Sequence, residues 1–257
     1  MDPNQKALEK KSRRKRLRAI IASIQQIENP YFSDVDLERL GIRRSSMSLE
    51  EKQTPLFFKP YTAPVLPPDI DTLTGYYPKF YEDDPQYNAG ALIWYLNQYF
   101  QKCILPEEDS NPPGSFYTNF GDFNFGQLLD TSNRPHWQVE AAWNMPRVAA
   151  PHMKVLMRSN ITGNENELFR GELVAVADVM RGRLHTKSLR PHMIAPVLLF
   201  SVVGMHHVRV LEAFFDGKEL EVRTTGLYDL GQKNEELLIH LSRWWLGHAS
   251  DKSTGAC

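Results

Sequence analysis

Residues 196–225, which read PVLLFSVVGMHHVRVLEAFFDGKELEVRTT, decide the fold. The first part of this stretch is continuously apolar, which is typical of a strand buried on both faces. The Asp216-Gly217 pair favours a hairpin turn between two later strands. Three strands are predicted here, at residues 196–203, 207–215 and 219–225.

The flanking segments supply more strands and the helices. Residues 136–142 and 152–158 alternate between apolar and polar side chains, which is typical of strands with one buried face. Apolar residues recur at helical spacing over residues 90–103, 165–183 and 235–246. These patterns predict an α+β fold, with a single mixed or antiparallel sheet flanked by helices and with a basic N-terminal helix.

The composition predicts a folded chain with four parts. Of the 257 residues 42% are hydrophobic and 24% are charged, which is ordinary for a globular protein. Prolines and aromatic residues crowd the region before residue 85, where long regular elements are disfavoured. The predicted parts are a basic helical arm (1–29), a wrapping segment rich in proline and aromatic residues (30–85), an α+β core domain (86–248) and a mobile tail (249–257).

The charge of the chain is locally uneven. The formal net charge is -1, so any anionic partner has to be inferred from local clusters. One basic patch stands out near the N-terminus, formed by Lys10, Lys11, Arg13, Arg14, Lys15 and Arg16. It resembles a nuclear-import signal or a phosphate-binding patch, because clustered cations bind polyanions by releasing counterions. The alternative is a solvated helix face.

Cysteine and apolar content indicate the compartment. The chain has two cysteines, which excludes a disulfide framework. The longest apolar run, residues 194–205, contains Pro196 and is too short to span a bilayer, and no signal peptide is evident. We therefore expect a soluble protein of the cytoplasm or nucleus with no membrane span.

Common catalytic motifs are missing from the sequence. There is no phosphate-binding glycine loop, no dinucleotide-binding glycine motif and no serine flanked by the glycines of a hydrolase elbow. His206 and His207 are adjacent, so on one strand they would point to opposite faces and chelate a metal poorly. A structural role is predicted for both histidines.

One group of residues has the types and the order along the chain that a catalytic site could use. Glu140 lies on one predicted strand, and His152 and Lys154 lie on the polar face of the next, ahead of a helix. This arrangement resembles the PD-(D/E)XK nucleases. The resemblance implies that Glu140 and His152 hold Mg²⁺ and that Lys154 assists catalysis. A further carboxylate would complete the site, and the candidates are Glu172, Asp178 and Glu212.

This sequence departs from the nuclease pattern at one ligand. His152 stands where the pattern has a second acid, and imidazole is a softer ligand than Mg²⁺ favours. The alternative is that Glu140, His152 and Lys154 are solvent-facing residues of a half-exposed sheet. Apart from Mg²⁺ under the nuclease hypothesis, no cofactor is predicted.

The aromatic residues suggest a different kind of site. Residues 57–81 are rich in aromatic side chains and proline, which often line small-molecule pockets. The alternative is that these rings simply cover the sheet. A small-molecule enzyme or carrier would need an enclosed cavity near Trp94, Tyr95, Trp137 or Trp143.

Two long runs carry a second resemblance. HMKVLMRSNITGNENELFRGELVAV and HMIAPVLLFSVVGMHHVRVLEAFFDGKELEVRTTGLYDL are similar to a family of filamentous-fungal proteins with no assigned activity, over residues 137–246. The resemblance implies no catalytic residue. It suggests the hypothesis of an accessory role in a fungal specialised-metabolite pathway.

The leading hypothesis is a non-catalytic binding or interaction protein. A protein is the favoured partner, and the basic arm makes nucleic acid a second class of partner. The alternatives are a divergent or degenerate metal-dependent nuclease-like enzyme and a small-molecule enzyme or carrier with an aromatic pocket. The sequence leaves open whether the protein is an enzyme.

Overall fold

The computed structural model describes residues 3–50, 52–69, 76–106, 113–123, 125–145, 150–161 and 164–255. The α-helices in these ranges are α1 (Pro3–Gln26), α2 (Asp34–Arg39), α3 (Pro85–Lys102), α4 (Arg170–His185) and α5 (Glu235–Leu246). The strands are β1 (Tyr31–Phe32), β2 (Ile42–Ser46), β3 (Phe58–Lys59), β4 (Phe116–Tyr117), β5 (Leu129–Asp130), β6 (Trp137–Met145), β7 (Ala150–Ser159), β8 (Leu168–Phe169), β9 (Val197–Val203), β10 (His207–Phe215), β11 (Leu220–Thr224), β12 (Tyr228–Asp229) and β13 (His248–Ala249). The predicted α+β class is confirmed.

The described strands form one large sheet and two small ones. The large sheet has the order β2-β11-β10-β9-β7-β6-β4, with β12 paired to β10 and β5 paired to β6. Strand β1 pairs with β8, and β3 pairs with β13, as separate two-stranded sheets. The large sheet is mixed, as predicted, but the prediction of a single sheet is not confirmed.

Parallel pairing in the large sheet has a topological cause. Strands β7 and β9 are parallel neighbours, and α4 lies between them in the chain. A parallel pair needs such a crossover, because the chain has to return to the end of the sheet at which the first strand began before the second strand can start. In contrast, β9, β10 and β11 follow one another as antiparallel neighbours.

Helices cover both faces of the large sheet. Side chains from α1 and α4 pack with Val197 and Leu199 of β9 in one buried cluster. Side chains from α3 and α5 pack with Leu198 and Phe200 in a second cluster. Burial on both faces explains why this strand is continuously apolar.

Helix α1 packs on the body of the protein. Leu17 and Ile24 are fully buried, and Ile21 is nearly so, in the cluster that contains α4. These positions are spaced as on one face of a helix, so the apolar stripe of α1 lies against the α4 layer. The basic side chains of α1 are thereby placed beside α4.

The C-terminal segment is hydrogen-bonded to the body. β13 pairs with β3, and the Ser250 amide donates to the Phe57 carbonyl at 2.8 Å. The Met193 amide donates to the Thr254 carbonyl at 2.7 Å. Residues 249–255, the described part of the predicted tail, are therefore attached to the fold, and residues 256 and 257 lie outside the described residues. None of the described helices is long and apolar enough to cross a membrane.

Candidate functional site

The three residues of the nuclease-like constellation lie on neighbouring strands but contact different partners. Glu140 is half-buried on β6, and its Oε1 accepts a hydrogen bond from Arg158 Nε at 2.6 Å. On β7, His152 is 3% exposed and Lys154 is 0% exposed. The predicted half-exposed polar face is wrong for β7, because β3 covers His152 and the end of α5 covers Lys154. Whether Glu140, His152 and Lys154 act in catalysis stays a prediction.

A bulge at Glu140 changes the face on which its neighbours lie. The register between β6 and β7 shifts between Val139 and Ala141. Val139 belongs to the cluster under α1 and α4, whereas Ala141 belongs to the cluster under α3 and α5. The alternation predicted for residues 136–142, with the apolar side chains on one buried face, is therefore wrong beyond Glu140, because a bulge places two residues opposite one.

Lys154 fastens the end of α5 to the sheet. Its Nζ donates to the Trp245 and Gly247 carbonyls at 2.7 Å each, and to Ser115 Oγ at 3.2 Å. The last carbonyls of a helix have no partners within the helix, and a cation is favourable there. Burial lowers the pKa of Lys154 well below its ordinary value. The geometry assigns this lysine a helix-capping role.

His152 is buried against aromatic rings. Its ring lies 5.2 Å from that of Phe58 and 6.3 Å from that of Phe57. Burial is the main cause that lowers the pKa of His152 to about 3, and positive charge on His192, Lys154 and Arg183 lowers it further. The imidazole is therefore neutral at physiological pH.

The depressed pKa of His152 predicts acid sensitivity. The folded-state pKa is about 3 and the unfolded value is about 6.5, so between these values the unfolded chain binds the extra proton. Stability is therefore lost as the pH falls below about 6.5, and His152 alone accounts for a loss of about 2 kcal/mol by about pH 5.

Urea unfolding at neutral and acid pH measures this effect. The difference in free energy of unfolding between the two conditions is expected to shrink in His152→Leu. His136→Leu, which removes a half-buried histidine outside this cluster, serves as the matched control. An undiminished pH dependence in His152→Leu would contradict the assignment.

The three carboxylates that could have completed a nuclease site are each paired with an arginine. Glu172 and Glu212 are fully buried, and Asp178 is nearly so. Their arginine partners are Arg209 for Glu172, Arg181 for Asp178 and Arg223 for Glu212. These carboxylates are paired with arginines, whereas the hydrogen bonds of Lys154 go to Ser115, Trp245 and Gly247.

The basic patch on α1 divides into a docking set and an exposed set. Four of its side chains donate to backbone carbonyls of the body. These pairs are Lys10 with Leu189 at 2.6 Å, Arg13 with Met193 and Phe215 at 3.2 Å, Arg14 with Leu184 at 3.2 Å, and Arg16 with Gly217. Lys11 and Lys15 remain exposed, as does Arg18 beyond the patch.

The exposed cations line a depression between α1 and α4, which we name the basic groove. It has a volume of about 420 Å³ and is lined by Lys11, Arg14, Lys15, Arg18, Arg181 and His185. All six of these side chains are basic. Sequence analysis did not find the two α4 members, because they lie more than 160 positions from the α1 residues of the groove and no local pattern links them.

A second depression adjoins the basic groove. It has a volume of about 660 Å³, shares Arg14 and His185 with the groove, and carries four further cations: Lys6, Lys10, Lys187 and Arg190. Burial lowers the pKa of Lys10 to about 8, with smaller contributions from the positive charges of Arg14 and Arg190. The positive charges on this surface are thus close enough to repel one another.

Exposed aromatic rings line an open depression on another part of the surface. Trp94 is 46% exposed and lies there with Tyr77, Tyr81, Tyr87 and Arg158. Tyr95, Trp137 and Trp143 are buried in the core instead. The small-molecule hypothesis calls for an enclosed cavity, and this depression is open to solvent.

A histidine pair and an aspartate form a compact cluster. His206 lies in the turn after β9, and His207 is the first residue of β10. Their ring centroids are 4.5 Å apart, so the expectation that they point to opposite faces is wrong. The reason is that alternation applies only within a strand, and His206 precedes it. Asp229 of β12 joins them, with its Oδ1 2.7 Å from His206 Nδ1.

Comparison of the chain with protein-family models, with curated proteins and with solved structures found no match. Function is therefore inferred from the side chains that the fold brings together. Within the described part of the chain, the basic groove is lined by basic side chains alone, and the depression beside it adds four further cations to the same surface.

Proposed function

We propose that the protein is a non-catalytic binding protein that holds the phosphate backbone of a nucleic acid in the basic groove. The observation that supports this most directly is that every lining side chain of the groove is basic and that the six come from two helices. Such convergence of cations favours a polyanion, because binding releases the counterions condensed on it.

The extent of the basic surface favours a long anion over a single phosphate. The cations of α1 run from Lys6 to Arg18, and a helix rises about 1.5 Å per residue, so they span about 18 Å. Duplex DNA carries one charge per about 1.7 Å of axis. A surface of this length therefore faces several phosphates at once.

The lining residues disfavour a protein partner at this surface. Protein interfaces usually have aromatic or apolar residues at their centre. The basic groove has no Phe, Tyr, Trp or aliphatic residue among the described residues that line it. The imidazole of His185 is the one ring in this described lining on which a base could stack. Binding should therefore depend on phosphate and be largely independent of base sequence.

The ion pair formed by the nearby carboxylate supports non-catalytic binding. Asp178, on the same helix as Arg181, is paired with that arginine at 2.7 Å. No carboxylate is among the lining residues of the groove within the described part of the chain. Metal-dependent phosphate cleavage uses carboxylates to hold the metal beside the phosphate.

A charge-deletion variant tests the proposal. Lys11→Ala/Lys15→Ala/Arg18→Ala removes three exposed cations of the groove without removing a hydrogen bond that docks α1. Fluorescence anisotropy with a labelled oligonucleotide of mixed sequence is expected to give an affinity on the order of 100-fold lower for this variant at moderate salt. The slope of log K against log salt is expected to fall by about 3 in magnitude with duplex DNA.

The matched control removes three exposed lysines that do not line the basic groove. Lys52→Ala/Lys218→Ala/Lys252→Ala lowers the net charge by the same amount. It is expected to bind with nearly unchanged affinity and salt slope. Equal losses in the two triple variants would show unspecific attraction and overturn the proposal, as would wild-type binding that is insensitive to salt.

A further inference from the structure

The turn before β10 and the short strand β12 bring three metal-ligating side chains together. His206, His207 and Asp229 each offer one ligand atom, and these atoms all lie within 4.8 Å of one another. We propose that they form a binding site for a divalent transition metal of the zinc class. None of the three residues lines the basic groove, so the inference is independent of the proposed nucleic-acid binding.

Backbone pairing holds the ligands in place. His207 and Asp229 are directly opposite each other in the antiparallel pair of β10 and β12, where Cβ atoms are about 4.5–5.5 Å apart. The Leu230 amide donates to the His206 carbonyl at 2.9 Å, which fixes the turn against β12. Gly204 opens this turn with a φ of +62°, a conformation that glycine adopts without strain.

Neighbouring aromatic residues support the same arrangement from the side. The Phe80 ring lies 5.4 Å from the His206 ring. Tyr77 Oη donates to the Leu230 carbonyl at 2.5 Å, which ties this aromatic segment to the residue after Asp229. Ligands that are fixed by their surroundings lose little freedom when a metal binds.

The ligand set selects the kind of metal. Two imidazoles and a carboxylate suit zinc and its neighbours, whereas Mg²⁺ prefers oxygen ligands alone. Tetrahedral zinc with ligand distances of about 2.0 Å separates its ligand atoms by roughly 3.3 Å. The ligand atoms lie within 4.8 Å of one another, so small rotations of the side chains, of which that of Asp229 is 67% exposed, are enough to bring them to that separation.

Three protein ligands leave one position of a tetrahedral metal open. Structural zinc sites usually have four protein ligands, while sites that bind water or another small ligand have three. The His206 side chain is 26% exposed, so solvent reaches the cluster. An exchangeable ligand on the metal is therefore expected.

Calorimetric titration of the full chain, without an affinity tag, tests the site. Zn²⁺ is expected to bind at one site per chain with micromolar affinity or tighter, and Mg²⁺ is expected to give no comparable binding. His206→Ala/His207→Ala should weaken Zn²⁺ binding by at least roughly tenfold. His136→Ala/His240→Ala, which removes two histidines elsewhere, should leave it unchanged.

A second variant and a spectroscopic probe keep the test decisive if the double-alanine variant misfolds. Asp229→Asn is nearly isosteric and lies at an exposed position, so folding should be preserved. Co²⁺ bound to the wild type is expected to show the visible d–d absorption of four-coordinate cobalt, and Asp229→Asn should lose most of it. The proposal is overturned if both variants bind Zn²⁺ like the wild type, or if Mg²⁺ competes equally.

Discussion

Arg209→Met is expected to lower the free energy of unfolding by about 3–5 kcal/mol, because it leaves the carboxylate of Glu172 buried without its counterion. Both residues are 0% exposed. Arg209 Nε and Nη2 donate to the two oxygens of Glu172 at 2.8 and 2.5 Å. This pair joins β10 in the sheet to the first turn of α4.

The surroundings of this ion pair increase the expected loss. Arg209 Nη1 also donates to the Glu167 carbonyl at 2.7 Å, and its guanidinium carbon lies 4.5 Å from the centre of the Phe169 ring. Glu172 Oε2 accepts from the Phe169 amide at 3.0 Å. One substitution therefore disrupts the start of α4, whose later turns line the basic groove.

Urea unfolding with a matched control measures the expected loss. Lys233→Met breaks the exposed pair with Glu235, whose side chains are 43% and 41% exposed, and is expected to cost less than about 1 kcal/mol. Arg209→Met/Glu172→Met should recover part of the loss, since no unpaired charge remains. An effect of Arg209→Met as small as that of the control would contradict the buried-pair assignment.

Trp245→Ala is expected to lower the free energy of unfolding by about 3–5 kcal/mol through loss of apolar burial and a cavity. Trp245 is fully buried on α5. Its ring lies 5.5 Å from Phe100, 5.4 Å from Trp143 and 5.3 Å from Phe200, so it connects both helices of this layer to the sheet.

The control for this substitution is Trp94→Ala on the neighbouring helix. Trp94 is 46% exposed, so its removal opens no closed cavity and should cost less than about 1 kcal/mol. Thermal unfolding should show a clear fall in Tm for Trp245→Ala and a small one for Trp94→Ala. Similar shifts in the two variants would contradict the central position of Trp245.

The periodic parts of the sequence predict their elements well. The three predicted strands of residues 196–225 correspond to β9, β10 and β11, within a residue at each end. The predicted helix at 235–246 is α5, with the same bounds, and that at 90–103 is most of α3. These segments bury apolar side chains at a regular period, and a regular period is a local property of the chain.

The polar residues were less predictable. His152 and Lys154 alternate with apolar neighbours, and this pattern predicts exposure. Burial of His152 depends on β3 and that of Lys154 on the end of α5, and both elements are distant in the chain. The nuclease-like role, the fungal-family resemblance and the metabolite-pathway hypothesis stay predictions.

The sequence by itself determined the α+β class and the order in which the main strands and helices follow one another along the chain. Only the tertiary structure decided which side chains form sites. The basic groove needs Arg181 and His185 beside α1, and the histidine cluster needs Asp229 opposite His207. Within an unbroken strand or helix, local periodicity indicates the face on which a side chain lies, but the partner that covers or joins that face comes from a distant segment and leaves no local pattern.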